Sequence, residues 1–576
     1  MWLINTTTRD LEFVQNPKKG SYAILSHTWG PREVSFQQYA SRGAPSQAGL
    51  DKNDQDQQED GLAKINKTCE LALARNLAYA WVDTCCIDKS SSAELSEAIN
   101  SMFQWYGDAA VCFAYISDLD PHVDFAEGFP RCNWLRRGWT LQELIAPRDV
   151  EFYDRAWNLQ TTKAESVQVI SEASGVDLGV LNNSDNLPRV AVGRRMSWAS
   201  RRKTTRIEDL AYCLMGIFGI HMPMIYGEGK KAFIRLQEEI TKQSCDLSLF
   251  AWTQVTPNPD DNDDDDDDDS GEKDEPYRGL FARSPREFQD CGDLQSRNTG
   301  GLLDREFTVT NKGLRIETSL IESARFGKDG ILNLGIYKRK RGNPGAAIPA
   351  SGWIGVGLGK TPLGFVRSRP DKLYIAGGDD RTIYEKQTIH IRKDISRAEQ
   401  THLKSRFRGA IILRVPQGSG TRCEAVHLMP PDLWDPIRSL ILKQNRGIIA
   451  LVRFTVTCLR TSKQFAVVVG CSTVGDPLCR VWEEGHQFFA DAVRYMGHRT
   501  EVFDYVATEH LPSYFFHRRR GQNDDMAAST QFQSMRYGSD NGLVESYTIT
   551  FSARLTRGEY EGEATYYLDI GIDKST

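Results

Sequence analysis

Residues 22–26, YAILS, form a continuous apolar run that ends at the turn-prone SHTWGP. A short apolar run bounded by turn residues predicts a strand buried on both faces. The same pattern returns at 79–87 (YAWVDTCCI), 109–116 (AAVCFAYI) and 149–153 (DVEFY). Between these runs the period changes. Ile65, Cys69, Ala72 and Leu73 share one face of a helix predicted over 62–77, and Leu95, Ile99, Met102 and Phe103 share one over 93–106. A third helix is predicted from about residue 133. This alternation predicts a parallel sheet covered on both faces, with functional loops at the carboxyl ends of its strands. Residues 41–61, polar and rich in Asp and Gln, are expected to form a mobile insertion.

Further along, the patterning divides the chain. Apolar spacing predicts helices over 206–218 and 230–242, and residues 161–253 read as a helical extension. Nine of the ten residues from 260 to 269 are aspartate, which predicts a disordered linker over 254–276. From 277 to 576, short β-rich runs separated by glycine-rich turns predict an all-β, sandwich-like region of one or two domains. The first 160 residues form the α/β unit.

Composition changes this picture little. The formal charge is −6, and without the nine clustered aspartates it is +3, so the folded parts are close to neutral. That gives no support to a general nucleic-acid or membrane binder. The start lacks the pattern of a signal peptide, and no run approaches the ~20 apolar residues of a membrane span. Twelve scattered cysteines, with no CxxC pair, fit free thiols in a reducing cytoplasm.

The chemistry concentrates in RCNWLRRGWTLQELIAP, 131–147. On a helix, Trp139 and Glu143 share a face. Glu143 can meet a ligand, or it can form an ion pair with Arg136, Arg137 or Arg148. Ser26, His27 and Trp29 follow the first apolar strand; His27 can be structural, and Trp29 can be core or a stacking surface. Asp83 and Cys86 end the second strand, and Asp88 opens the next loop. Adjacent cysteines suit a zinc site poorly, and a nucleophilic Cys86 would need His27 as its base, so burial is the expected fate of Cys86. Neither a Walker A loop nor GxGxxG after a strand is present.

Three blocks, YAILSHTWG, AWVDTCCIDKSSSAELSEAINSMFQWY and WLRRGWTLQELIAPRDVEFYD, resemble those of the fungal HET (heterokaryon-incompatibility) domain. MSWASRRKTTRIEDLAYCLMGIFGIHMPMIYGEGKKAFIRLQEEI resembles the helical extension that follows many HET domains. The resemblance implies a role in programmed cell death after non-self recognition. HET domains are in turn remotely similar to TIR domains, which implies a flavodoxin-like parallel sheet. It also implies cleavage of NAD at the nicotinamide–ribose bond by a glutamate four residues after a tryptophan, here Glu143 after Trp139. Ser26, His27, Trp29, Asp83, Cys86, Asp88, Arg136, Arg137 and Trp139 are then expected to line the substrate site, with Arg136 or Arg137 at the pyrophosphate. No metal or added cofactor is implied; NAD is the substrate, and assembly into a homo-oligomer and an upstream recognition partner are expected. The alternative is a non-enzymatic signalling adaptor that self-associates and binds partners.

Overall fold

A computed structural model describes residues 1–30, 33–41, 52–255 and 275–296, and a series of strands with short connections between 306 and 575. The N-terminal sheet consists of β1 (Trp2–Asn5), β2 (Leu11–Phe13), β3 (Tyr22–His27), β4 (Tyr79–Trp81), β5 (Val111–Tyr115), β6 (Val150–Tyr153) and β7 (Leu159–Thr162). Its order is β2-β1-β4-β3-β5-β6-β7. The four central strands are parallel, and their near-total burial follows from apolar runs that face helices on both sides.

The sheet is mixed, not purely parallel as the alternation predicts. β1 pairs antiparallel with β2 and β4, and β7 pairs antiparallel with β6. The β1–β2 and β6–β7 links are five residues each, too short for a crossover, so the chain has to turn back there. At the second turn Trp157 adopts a positive φ of 62°.

The helices α1 (Phe36–Ala40), α2 (Lys52–Leu73), α3 (Ser92–Asp108), α4 (Phe125–Gly128) and α5 (Thr140–Ile145) connect these strands. Two differ from expectation. α2 begins at Lys52, so part of the expected mobile insertion is helix. That part lacks an apolar stripe, but five of its ten residues, Lys52, Gln55, Gln57, Gln58 and Glu59, are good helix formers. The helix expected from about residue 133 is two pieces, a 3-10 turn at Asn133–Arg136 and then α5. They are split because Gly138 lies against residues 203–204: a Cβ there would sit 2.5 Å from Thr204 Cγ2.

After β7 come short helices, among them Val167–Ser174, Val192–Ser197 and Lys231–Gln243; the helix predicted over 206–218 is two single turns, Asp209–Tyr212 and Met215–Phe218. The acidic run, 260–269, lies outside the described residues. Beyond it an 11-stranded sheet is formed within 277–391, and its apolar side belongs to the same core as the N-terminal sheet. Arg367 joins them. It is fully buried, donates to the carbonyls of Phe250 (2.9 Å) and Trp252, and stacks 3.7 Å from the Trp252 ring centroid.

A separate core lies within 410–570. There a four-stranded and a six-stranded sheet meet, and Phe465 stacks on Phe551 with centroids 4.5 Å apart. The C-terminal region is therefore β-sheet, as patterned.

Candidate functional site

The chain leaves β3 for β4 on one side and returns to β5 on the other. Such a reversal opens a crevice at the carboxyl ends of the strands. Ser26 and His27, the last two residues of β3, stand at this edge, beside Ala114 and Tyr115 of β5.

α5 brings Glu143 to it. All six residues of α5 are buried, so the helix is held by packing and by its ends. Arg202, itself buried, donates 2.9 Å hydrogen bonds to the Arg137 carbonyl and to Thr140 Oγ1. Lys203 N–H donates to the Arg136 carbonyl (2.6 Å), and Gly138 N–H donates back to the Lys203 carbonyl (2.8 Å). At the other end the buried Lys163 ammonium donates to the carbonyl of Pro147 (2.7 Å). A cation at the C-terminal end of a helix suits its dipole. Residues 202–203 and 163 thus hold α5 like a strap, and desolvation lowers the pKa of Lys163 to about 8 and of Arg202 to about 10.

Ser26 Oγ donates to Glu143 Oε2 at 2.5 Å and accepts from Trp134 Nε1 at 2.9 Å. Glu143 is 4% exposed. Burial, aided by the charge of Asp83, pushes its carboxyl up to about 8; Ser26, Arg137 and Arg202 only partly offset this. At neutral pH Glu143 is therefore mostly protonated.

His27 is also buried, and among the described residues neither ring nitrogen has a hydrogen-bond partner. Its Nε2 lies 3.5 Å from Asp83 Oδ1 and 4.0 Å from Glu33 Oε2. Desolvation, aided by the charges of Lys64, Arg137 and Lys89, outweighs Glu33 and lowers its pKa to about 3, so the imidazole is neutral. Glu33 is engaged by Lys64 Nζ at 2.5 Å and by Gly30 N–H at 2.8 Å. At the rim, Trp29 is 43% exposed, and its indole N–H donates to Asp83 Oδ2 at 2.7 Å. Lys89 Nζ lies 3.7 Å and Arg137 Cζ 5.2 Å from the centroid of the Trp29 ring.

Residues 22–127 match the family model described as "Heterokaryon incompatibility protein (HET)". The chain carries a HET domain. It is 44% identical over 245 residues to "Vegetative incompatibility protein HET-E-1" of Podospora anserina, a match covering 41% of this chain and 17% of that protein. Residues 231–328 match a second family model, "Domain of unknown function (DUF8212)". No solved structure matches the chain.

The HET match holds Ser26, His27, Trp29, Asp83 and Lys89, while Glu143 and its strap lie beyond it. The structure gathers Ser26, His27, Trp29, Asp83, Arg137 and Glu143 at one edge. Trp139 points elsewhere: its indole N–H donates to Asp209 Oδ2 at 3.3 Å, and bracing α5 is its observed role. Trp134, not Trp139, is the tryptophan beside Ser26, because the break at residues 137–138 resets the helical spacing. Cys86 is buried, with its sulfur accepting from Val82 N–H at 3.4 Å. Asp88 holds its loop, accepting from Ser90 N–H (2.9 Å) and Gln37 Nε2 (2.6 Å). Arg136 is exposed. Among the described residues no group of three or more His, Cys, Asp or Glu is placed to hold a metal ion, and no helix is long and apolar enough to cross a membrane.

Sequence reasoning missed Glu33, Lys64, Lys89, Trp134, Lys163 and Arg202. Trp134 and Lys89 sit inside the quoted motifs and were within reach. Lys163 and Arg202 carry no local signal, because the α5 groups that they hold, the Pro147 and Arg137 carbonyls and Thr140 Oγ1, are distant in sequence.

Proposed function

We propose that the HET domain hydrolyses NAD at the nicotinamide–ribose bond, in the manner of a TIR domain, and that this serves vegetative incompatibility and cell death. The observation that carries this reading is the buried Ser26–Glu143 pair at the carboxyl end of β3. The order β4-β3-β5-β6 agrees with the flavodoxin-like order, which supports the TIR-like reading. The name of the Podospora relative supports the incompatibility role.

The chemistry would follow glycosidase logic. The bond from ribose C1′ to the ring nitrogen breaks, and its electron pair neutralises the cationic nicotinamide. Because that ring leaves neutral, no general acid is required. Water adds to the ribosyl cation and gives up a proton, yielding ADP-ribose. Glu143 would hold the ribose hydroxyls and stabilise the cation. A cationic ring beside the buried carboxyl favours its ionised form, so binding would release a proton and generate the charge where it is needed. Ser26 and Trp134 keep the carboxyl oriented.

The test is NAD consumption and nicotinamide release by the full chain over a range of protein concentrations, since a homo-oligomer on activation belongs to this reading. Wild type should consume NAD, and Glu143→Ala and Glu143→Gln should not. Equal consumption by all three, or none by any at concentrations where the chain assembles, removes the proposal. The burial of Glu143 favours a second reading, in which the Ser26 pair is structural and the domain is an adaptor that self-associates and binds an upstream partner. Assembly with NAD untouched would support that one.

A further inference from the structure

We propose that Lys89 and Arg137, gathered over Trp29, form a phosphate-binding subsite at the mouth of the crevice, suited to the diphosphate of a nucleotide. The inference rests on the crevice being a nucleotide site but not on any bond being cleaved there.

The Trp29 ring is fixed at the rim by its hydrogen bond to Asp83, and both cations approach that one ring. The negative face of an indole attracts them, yet it cannot neutralise two charges. Asp83 is the adjacent carboxylate, and it is already shared: one oxygen accepts the indole N–H and the other faces His27. Arg137 Nε is buried and has no hydrogen-bond partner among the described residues, a donor that an incoming oxygen would satisfy. Lys89 stands three residues before α3, on a loop pinned by Asp88 and capped by Ser91, so the positive end of a 17-residue helix lies next to it in the chain. A guanidinium fork with an ammonium point charge is a common way of holding phosphate oxygens.

The position also sets orientation. Inside, the Glu33 carboxylate is matched by Lys64 and Glu143 is held mostly protonated, whereas Lys89 and Arg137 make the rim basic. A ligand with an anionic diphosphate and an electron-poor ring fits with the diphosphate outward. The Trp29 face is then occupied by cations and is not a stacking surface for a pyridinium ring. Of the two arginines expected at a pyrophosphate, this selects Arg137. Arg136 is exposed, and its carbonyl is taken by the strap.

Calorimetric titration of the full chain with inorganic pyrophosphate, ADP and adenosine tests this. Wild type should bind pyrophosphate and ADP, more weakly as salt is raised, and adenosine much less well. Lys89→Glu should weaken ADP by about tenfold or more, the loss of one charge-assisted contact, while Lys89→Arg stays within about threefold and Arg136→Ala, on the exposed turn, binds ADP as wild type does. Melting temperatures of the variants establish that each is folded. The subsite is overturned if folded Lys89→Glu binds ADP like wild type, if adenosine binds as well as ADP, or if wild type binds neither phosphate ligand. ADP bound through Lys89 with NAD left intact would sink the hydrolase reading and keep the subsite. NAD hydrolysis with ADP binding indifferent to Lys89 would do the reverse.

Discussion

The two hydrophobic cores of this chain are built differently. The core that runs from Met1 to Ile391 surrounds several buried ionisable groups, among them His27, Glu143, Lys163, Arg202 and Arg367. The described core within 410–570 holds charge in a local pair, Arg438 and Asp435, 3.0 Å apart and three residues apart in sequence. Buried charge is costly unless paired and hydrogen-bonded. The second core meets that requirement within one turn of chain. The first holds such a pair too, Arg278 and Glu287 at 2.6 Å, but it also spreads charges to places where they position other groups: Arg202 and Lys163 at the ends of α5, Arg367 between the helical segment and the first β-sheet, Glu143 and His27 in the crevice. The difference marks where function should reside, since strained electrostatics collect at sites.

The largest effects should come from breaking each core by its own logic. Phe551→Ala removes half of a stacked pair and should destabilise the second core by about 3–5 kcal/mol, leaving NAD consumption per folded molecule unchanged. Arg367→Met should cost about as much, because it strands the carbonyls of Phe250 and Trp252. It should also weaken the N-terminal unit, which Phe551→Ala should spare; chemical denaturation followed region by region distinguishes them. A truncation near Trp252 would remove Arg367 and expose a fully buried tryptophan, so it should yield an unstable fragment.

The pH dependence comes next in size. The Glu143 carboxyl has a folded pKa of about 8, against 4.5 for the free group. Between these values the folded state holds a proton that the unfolded state has lost, so the Glu143 contribution falls as pH rises through that window. Glu143→Gln should therefore match wild type near pH 5 and exceed it at pH 9, by on the order of 3–5 kcal/mol. His27 works in the other direction. Its pKa drops to about 3 from 6.5, so stability is present above 6.5 and is lost as pH falls towards 3. His27→Gln should flatten the acid limb of the melting-temperature profile, an effect of a few kcal/mol at most. Smallest of all, Arg136→Ala on the exposed turn should change stability by less than about 0.5 kcal/mol.

Much of the α/β architecture was legible, because buried parallel strands leave unbroken apolar runs such as YAILS and AAVCFAYI. The edge strands were not: WLIN and LEF are too short and too mixed to stand out. Apolar periodicity also missed the polar first turns of α2. The crevice was partly legible, since Ser26, His27, Trp29 and Asp83 sit in turn sequences just after strands. What the sequence could not convey was the break at residues 137–138. It turned Trp139 to Asp209 and left Trp134 beside Ser26. The unity of the first core was hidden as well: the acidic run reads as a divide, whereas Arg367 and Trp252 join the segments on its two sides.

The central claim is that Glu143 must ionise to act. The pH dependence of kcat/KM for NAD, measured with assembled wild-type protein and with Glu143→Gln, tests it most directly. The account predicts a rate that climbs with pH and levels off near 8 in wild type, with no activity from the folded Gln variant at any pH. A flat wild-type profile, or a Gln variant that consumes NAD at the wild-type rate, would contradict it.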